Sequence, residues 1–224
     1  MPRSVRLLSL ATALPPHVLH QEDVRVVART LFHASGETIE RLLPVYDNAG
    51  IATRRSCVPI DWYRHPHGWK ERNTLYVHHA VDLLSQAARR CLAQAGVAPG
   101  DVDTLITVST SGIATPSLDA RVMEEIPFRR DVARLPVFGL GCAGGVLGLG
   151  RAAAMARAAP GSLVLLLVVE LCGLTFRRRD TSKSNVVATA LFGDGAAAVL
   201  LSCRRAAAPE VAGWGEYTWP ESLD

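Results

Sequence analysis

The sequence predicts an α/β domain in which helices cover both faces of a mixed sheet. Three observations lead to this fold class. Short apolar runs alternate with helical patterns along the chain, as they do in layered α/β domains. Every residue between Ser162 and Glu170 is apolar, which indicates a strand buried on both faces. No repeat, low-complexity linker or strong domain boundary interrupts the pattern.

The apolar runs give five strands, bounded by residues that break regular structure. The first strand is followed by Pro15-Pro16, and the last begins after the turn Gly193-Asp194-Gly195. The predicted strands are Val5–Leu10, Thr104–Ser109, Leu135–Leu140, Ser162–Glu170 and Ala196–Ser202.

Residues that stop helices close most of the helical patterns. Asn48-Ala49-Gly50 closes the second helix, Gly96 the long third helix, and Pro160-Gly161 the fifth. The predicted helices are Glu22–Phe32, Glu37–Tyr46, Glu71–Gln94, Leu118–Glu125, Ala143–Ala158 and Asn185–Leu191. Right-handed crossovers would place strand C-termini and helix N-termini along one edge of the sheet.

The composition is that of a globular protein. Of 224 residues, 49% are apolar and 20% are charged, and the net charge is +3. This mild, interspersed charge indicates no nucleic-acid partner. The cluster Arg177-Arg178-Arg179 is followed at once by Asp180, which favours a solvated loop over a phosphate site. The longest apolar run, Leu163–Val169, is too short to span a membrane.

The cysteines predict neither a disulfide scaffold nor a metal site. They are odd in number and widely spaced, with no C-x-x-C pair and no Cys/His cluster of metal spacing. A reducing cytoplasm is therefore the expected location. The five cysteines are Cys57, Cys91, Cys142, Cys172 and Cys203.

Cys142 is the predicted nucleophile. It stands between a predicted strand and a predicted helix, in the segment Phe138–Gly145, which is rich in glycine. Glycines permit a sharp strand-to-helix turn and close approach of a ligand. Unpaired amides and the helix dipole would stabilise a thiolate there and could hold an oxyanion. The other possibility, a small apolar core residue, is favoured for Cys57, Cys91 and Cys203.

Several stretches carry a resemblance to one known family. The nucleophile segment reads Gly139-Leu140-Gly141-Cys142-Ala143-Gly144-Gly145, and Glu170 ends the strand that follows the nucleophile helix. The others are Asn48-Ala49-Gly50-Ile51, Arg54-Arg55, Ser109-Thr110-Ser111-Gly112, Ala190–Ala197, Thr218-Trp219-Pro220 and Ser222-Leu223-Asp224. In order and spacing they resemble the N-terminal half of type III polyketide synthases, the chalcone-synthase-like enzymes of thiolase-like fold, in their bacterial form.

The resemblance implies an acyltransferase of polyketide biosynthesis. A starter acyl-CoA would load onto Cys142 and condense with the enolate formed from malonyl-CoA by decarboxylation. Such enzymes are homodimers that use coenzyme A thioesters as substrates and hold no bound cofactor or metal. The resemblance also assigns further positions: the gatekeeping Phe192, the cavity residues Cys172 and Thr175, Ser111 in its loop, Thr115 near the dimer interface, and Arg41 toward the coenzyme A phosphates.

One departure from the family concerns histidine. The family decarboxylates with a histidine and an asparagine from a second half, whereas all seven histidines here precede Cys142. We therefore expect residues 1–204 to form the nucleophile domain and residues 205–224 to begin the connection to a missing C-terminal half. The isolated chain is expected to be inactive. The alternatives are a ketoacyl synthase III-like enzyme and a non-catalytic acyl-binding or dimerising half.

Overall fold

A mixed six-stranded sheet forms the centre of the computed structural model, which describes residues 4–32, 37–204 and 207–221. The strand order is β5-β4-β6-β7-β1-β8, and β2 and β3 form a separate antiparallel pair. The strands are β1 (Val5–Ala13), β2 (His17–His20), β3 (Thr53–Ser56), β4 (Thr104–Ser109), β5 (Ala133–Phe138), β6 (Val164–Leu171), β7 (Asp194–Ser202) and β8 (Glu210–Val211).

Seven α-helices surround the sheet within the described residues. The long α4 and the short α5 lie on one face, and α6 lies on the other. The helices are α1 (Gln21–Leu31), α2 (Glu37–Leu42), α3 (Pro44–Asn48), α4 (Trp69–Ala95), α5 (Leu118–Glu125), α6 (Gly144–Ala158) and α7 (Lys183–Leu191). The predicted fold class, a thiolase-like layered α/β domain with a mixed sheet and helices on both faces, is confirmed.

Alternating side chains of the central strands enter different cores. In β6, Leu165 and Leu167 pack beneath α4, whereas Val164 and Leu166 pack against α6. Each of these four side chains is at most 2% exposed. The uninterrupted apolar run thus reflects burial on both faces, as predicted. A third core joins α1, α2, α3 and α7 beside the sheet.

The structure corrects several predicted bounds. The predicted helix Glu37–Tyr46 is two helices, because Pro44 begins a new one at α3. Proline has no amide to continue the hydrogen-bond ladder, and its ring restricts the residue before it. The strand predicted at Leu135–Leu140 ends earlier, at Phe138, so that a short turn precedes Cys142.

Two strand pairings were not predicted from the sequence. The β2–β3 pair joins segments more than 30 residues apart, and β8 adds a short edge strand to β1. Beyond β8, Trp214 packs against Gly150 of α6 and under the guanidinium of Arg157, 4.7 Å from the ring centroid. The motif Ser222-Leu223-Asp224 lies outside the described residues. None of the helices in the described ranges is long and apolar enough to cross a membrane.

Candidate active site

Three parallel strands bring the candidate site together at one edge of the sheet. Strand β4 pairs in parallel with both β5 and β6. Their carboxyl ends therefore meet, and three loops lie side by side: Thr110–Gly112 after β4, Gly139–Ala143 after β5, and Cys172–Thr175 after β6. Ligands commonly bind at this edge of parallel α/β sheets.

The turn that presents Cys142 depends on two glycines. Gly139 and Gly141 have φ angles of 88° and 54°, in the left-handed region that residues with a Cβ rarely adopt. A single 3-10 turn, Gly141–Ala143, then leads directly into the 15-residue helix α6. Cys142 is the one exposed thiol among the five free cysteines. The structure therefore places this thiol at a strand-to-helix bend, as predicted.

Glu170 and Thr110 fix the backbone beside the nucleophile. The carboxylate of Glu170 accepts hydrogen bonds from the amides of Thr110 and Ser111, each at 2.9 Å. The amide of Gly141 donates to the hydroxyl of Thr110 at 3.1 Å. The Ser111 hydroxyl in turn accepts from the amide of Leu171 at 2.8 Å. The side chains of Thr110, Ser111 and Glu170 thus tie the loop after β4 to the loop after β5 and to the end of strand β6.

A cavity of about 130 Å³ lies beside this network. Its walls come from α1, α7, Arg54 of β3 and the turn after β6, and they are mostly apolar. Three predicted substrate residues, Phe192, Cys172 and Thr175, line it together. Phe192 follows directly after α7 and is 44% exposed, and the Thr175 hydroxyl donates to the carbonyl of Cys172 at 2.7 Å.

Cys172 lines the cavity and interacts electrostatically with Cys142. Burial raises the pKa of its thiol to about 12, and the charges of Glu170, Asp194 and Cys142 contribute further. Cys142 itself does not line the cavity, but its charge acts on the Cys172 thiol, which does. Burial also raises the pKa of the Cys57 and Cys91 thiols. These three thiols remain protonated near neutral pH and are poor nucleophiles.

The other predicted site residues lie outside the cavity wall. The hydroxyl of Ser111 accepts a hydrogen bond from the Leu171 amide. Thr115 is exposed in the loop before α5, where its carbonyl accepts from Arg121. Arg41 is exposed on α2. Within the described ranges, no group of three or more His, Cys, Asp or Glu side chains could hold a metal ion.

Sequence reasoning missed the part played by Asp194. Its buried carboxylate accepts from the amides of Cys57 at 2.9 Å and Gly173 at 2.8 Å. It therefore joins β3, the turn after β6 and β7, three segments that are distant in the chain. Burial raises the pKa of this carboxyl group, an effect that the two amides partly offset. An aspartate between two glycines indicates a turn, and nothing in that pattern indicates such a link.

Arg54 is a second residue whose role was missed. Its guanidinium lines the cavity and donates to the carbonyls of Thr189, Ala190 and Phe192 at the end of α7. These carbonyls have no partner within the helix. Arg54 therefore caps α7 and positions the chain at Phe192. Its sequence signal was only the pair Arg54-Arg55 after Asn48–Ile51.

No described histidine hydrogen-bonds to Cys142. His67 is engaged by Glu71 and by the carbonyl of Trp62, and His78 and His79 lie on α4. A base normally activates such a thiol, and an imidazole or amide polarises the thioester carbonyl. Among the described residues, no histidine takes either position through a hydrogen bond to Cys142.

Comparison with solved structures defines the class of protein. The chain superposes on 1,3,6,8-tetrahydroxynaphthalene synthase from Streptomyces coelicolor A3(2), a bacterial type III polyketide synthase, with a TM-score of 0.85 and 29% identity, covering 89% of this chain and 57% of that one. It also superposes on the C-terminal type III polyketide synthase domain of Steely1 from Dictyostelium, with a TM-score of 0.84 and 25% identity, covering 92% and 59%. The fold is that of type III polyketide synthases.

The sequence places the chain within that class. Residues 3–204 match the family described as chalcone and stilbene synthases, N-terminal domain, and the chain belongs to this family. It is 40% identical over 198 residues to 1,3,6,8-tetrahydroxynaphthalene synthase of Streptomyces peucetius subsp. caesius. That alignment covers 88% of this chain and 52% of the relative, so the chain spans about half the length of the relatives it matches.

Proposed function

We propose that Cys142 receives the acyl group of a coenzyme A thioester and holds it for condensation with malonyl-CoA. The observation that supports this most is the exposed thiol at a glycine turn, next to a mostly apolar cavity of about 130 Å³. The membership in the polyketide synthase family agrees with this chemistry. The product class would be a polyketide.

The loading step is thioester exchange. The Cys142 thiolate attacks the carbonyl carbon of the acyl-CoA, the C–S bond to coenzyme A breaks, and coenzyme A leaves as a thiolate that takes up a proton. In the condensation, malonyl-CoA loses carbon dioxide, and the resulting enolate carbon attacks the Cys142 thioester. The Cys142 sulfur is then released as a thiolate and can be loaded again.

The cavity would hold the acyl chain. Cys172 and Thr175 line its wall close to the β6 turn, and Phe192 stands at its exposed side, where it could separate an acyl cavity from a coenzyme A entrance. Arg41 is exposed on α2, on the α1–α7 side of the molecule where a phosphate could approach. Ser111 and Thr115 would act through their loop, Ser111 by holding β6 and Thr115 at a subunit boundary.

Decarboxylation requires groups that the described residues do not bring to Cys142. We therefore propose that the 224-residue chain makes no polyketide alone and works with a C-terminal half or within a homodimer. Exposed apolar side chains beside the nucleophile support such an association, since Phe138 is 63% and Val146 70% exposed. The five free thiols favour a reducing cytoplasm as the location.

The test is acyl transfer to one sulfur. The purified chain is incubated with radiolabelled acetyl-CoA or a longer acyl-CoA, digested, and the labelled peptide is identified by mass spectrometry. We expect label on the Cys142 peptide and none in Cys142→Ser, while Cys203→Ser serves as the matched thiol control. Label that persists in Cys142→Ser would contradict the proposal.

A second assay separates the family-level alternatives. The chain, loaded and mixed with a separately expressed C-terminal half of a bacterial relative, is supplied with malonyl-CoA or with malonyl carrier protein. Condensation from malonyl-CoA supports the polyketide synthase function, whereas condensation only from the carrier protein would indicate a ketoacyl synthase III-like enzyme. Stable acylation of Cys142 with no condensation in either case is the result expected of a non-catalytic acyl-binding half.

A further inference from the structure

A second cleft lies on the surface formed by the start of α4 and the loop before α7. It has a volume of about 380 Å³. We call it the arginine cleft, because four arginines and two histidines line it and no carboxylate does. Its lining residues are Trp62, His65, Pro66, His67, Gly68, Arg72, Phe176, Arg177, Arg178 and Arg179.

Among the described residues, no acidic side chain forms an ion pair with the four arginines of the arginine cleft. The guanidinium groups of Arg177 and Arg179 form no hydrogen bond or ion pair within the described part of the chain. Asp180, which follows them directly in the sequence, accepts from the amide of Ser182 at 2.9 Å. Hydrogen bonding to Ser182 lowers the pKa of the Asp180 carboxyl group, and the charge of Arg177 also helps to lower it. Glu71 is taken up by the ring of His67 at 2.7 Å. Such a cluster of guanidinium groups in a concave surface concentrates positive potential and attracts anions.

Two further groups at the wall of the arginine cleft can donate to an anion. Arg72 uses one guanidinium nitrogen to hold the carbonyl of Phe176 at 3.2 Å, but its Nε is buried without a partner. Gly68 is the N-cap of the 27-residue helix α4, and no side chain caps that helix start. Amides at a helix N-terminus and an unsatisfied guanidinium N–H both favour bound phosphate.

The arginine cleft and the acyl cavity share one wall residue. Phe176 lines both, and its ring packs edge-on against Phe32 and Tyr63 of the cavity side. An anion held in the arginine cleft would therefore lie one aromatic ring away from the cavity that Cys172 and Phe192 line.

We propose that the arginine cleft is a binding site for phosphate groups, with Arg177 and Arg179 as the main ligands and Arg72 in support. Planar guanidinium groups bind phosphate oxygens in pairs, and two or more of them suit a diphosphate or a pair of phosphates better than a single carboxylate. The phosphates could belong to a free nucleotide or pyrophosphate, or to the adenosine bisphosphate end of a coenzyme A thioester. This site does not depend on the proposed function of Cys142.

The test is isothermal titration of the full chain with pyrophosphate at low ionic strength. The variant is the double change Arg177→Gln with Arg179→Gln, because neither side chain holds another part of the protein. The control is Arg89→Gln with Arg130→Gln, which removes the same charge elsewhere: Arg89 contacts the carbonyl of Glu125 and Arg130 pairs with Glu124. Circular dichroism checks that both variants are folded.

We expect the wild type to bind pyrophosphate and the cleft variant to bind at least about tenfold more weakly, with the control within about twofold of wild type. Titration with adenosine 3′,5′-bisphosphate and with coenzyme A identifies the source. If coenzyme A shows the same loss in the cleft variant, the phosphates are those of the thioester substrate, whereas a loss for pyrophosphate alone indicates a free phosphate ligand. No binding by wild type, or equal weakening in the cleft and control variants, would overturn the proposal.

Discussion

The amide of Gly141 donates a 3.1 Å hydrogen bond to the side-chain hydroxyl of Thr110. This contact joins the residue before Cys142 to the loop after β4, and Glu170 holds that loop in turn through two amides. Cys142 thus stands on a backbone that a threonine from another strand anchors. A thiol whose approach direction is fixed loses less entropy on the way to the transition state.

Replacing Thr110 should slow the chemistry of Cys142. Thr110→Val removes the acceptor for the Gly141 amide, while Thr110→Ser keeps the hydroxyl. A hydrogen bond of this kind contributes about 1 kcal/mol, so we expect alkylation of Cys142 to slow about fivefold in the valine variant and to stay near wild type in the serine variant. The rate is measured by iodoacetamide labelling and peptide mass spectrometry. Equal rates in all three proteins would show that the contact does not position the thiol.

Alkylation should be selective for Cys142. Cys57 and Cys91 are at most 4% exposed, and Cys203 donates from its half-buried thiol to the carbonyl of Ala156 at 3.2 Å. The pKa of Cys172 is raised to about 12, which leaves a thiolate fraction of about 10⁻⁵ at neutral pH.

We therefore expect one fast labelling event in the native protein near neutral pH. In the unfolded chain, the five thiols should react at similar rates, and this serves as the internal control. Comparable labelling of all five cysteines in the native protein would contradict the proposed nucleophile.

Gly112 is a packing position in the same loop. A Cβ at this residue would lie 2.2 Å from ring atoms of Tyr76, a buried side chain whose hydroxyl donates to Ser109 at 2.8 Å. Gly112→Ala should therefore lower the free energy of unfolding by about 2–3 kcal/mol, the range found for overpacking. Gly100→Ala, where nothing lies within 4 Å of the added carbon, is the matched control in urea denaturation. Equal free energies of unfolding for the two variants would show that the Gly112 loop accommodates the added carbon without loss of stability.

The sequence predicted the features that depend on residues close together in the chain. The alternation of strands and helices, the double-sided burial of β6 and the glycine turn at Cys142 are all encoded in short segments, and the structure contains each of them. The halves of β2–β3 carry no such pattern, because His17–His20 and Thr53–Ser56 are short and largely polar. Their pairing depends on contacts distant in the chain.

The links within the site were beyond sequence reasoning for the same reason. Arg54 reaches carbonyls at the end of α7 more than 130 residues later. The arginine cleft requires Arg72 to meet Arg177–Arg179, over 100 residues away, while Asp180 turns toward Ser182. Arg177–Arg179 are exposed in a loop, as the sequence predicted, and the structure adds that this loop lines a cleft together with Arg72.

Arg54 should be more important for stability than its neighbour. Arg54→Gln removes charge-assisted hydrogen bonds to the end of α7, each worth about 1.5–3 kcal/mol, although Gln21 still donates to the carbonyl of Ala190. We expect the free energy of unfolding to fall by about 2–3 kcal/mol. Arg55→Gln is the control, because Arg55 is exposed and makes only a 3.5 Å contact to the carbonyl of Pro15. If both variants lost the same free energy of unfolding in guanidinium chloride denaturation, Arg54 would not be the cap that stabilises α7.

Cys172 should make stability depend on alkaline pH. Its pKa rises from 9.0 to about 12 on folding, mainly because burial disfavours the thiolate. The folded state therefore binds the proton more tightly than the unfolded state. The stability that this thiol contributes is fully present below pH 9.0 and is lost as the pH rises toward about 12.

Cys172→Ser removes this titration and is the variant to compare. Below pH 9.0 its free energy of unfolding should differ from that of wild type by a constant amount. Above that pH, wild type should lose stability relative to the variant, by less than about 1.4 kcal/mol per pH unit because partial exposure screens the thiolate. The measurement is urea denaturation at a series of pH values, with Cys203→Ser as the thiol control. Parallel curves for wild type and Cys172→Ser across the alkaline range would show that Cys172 lies in a more open environment than its contacts with the cavity wall indicate.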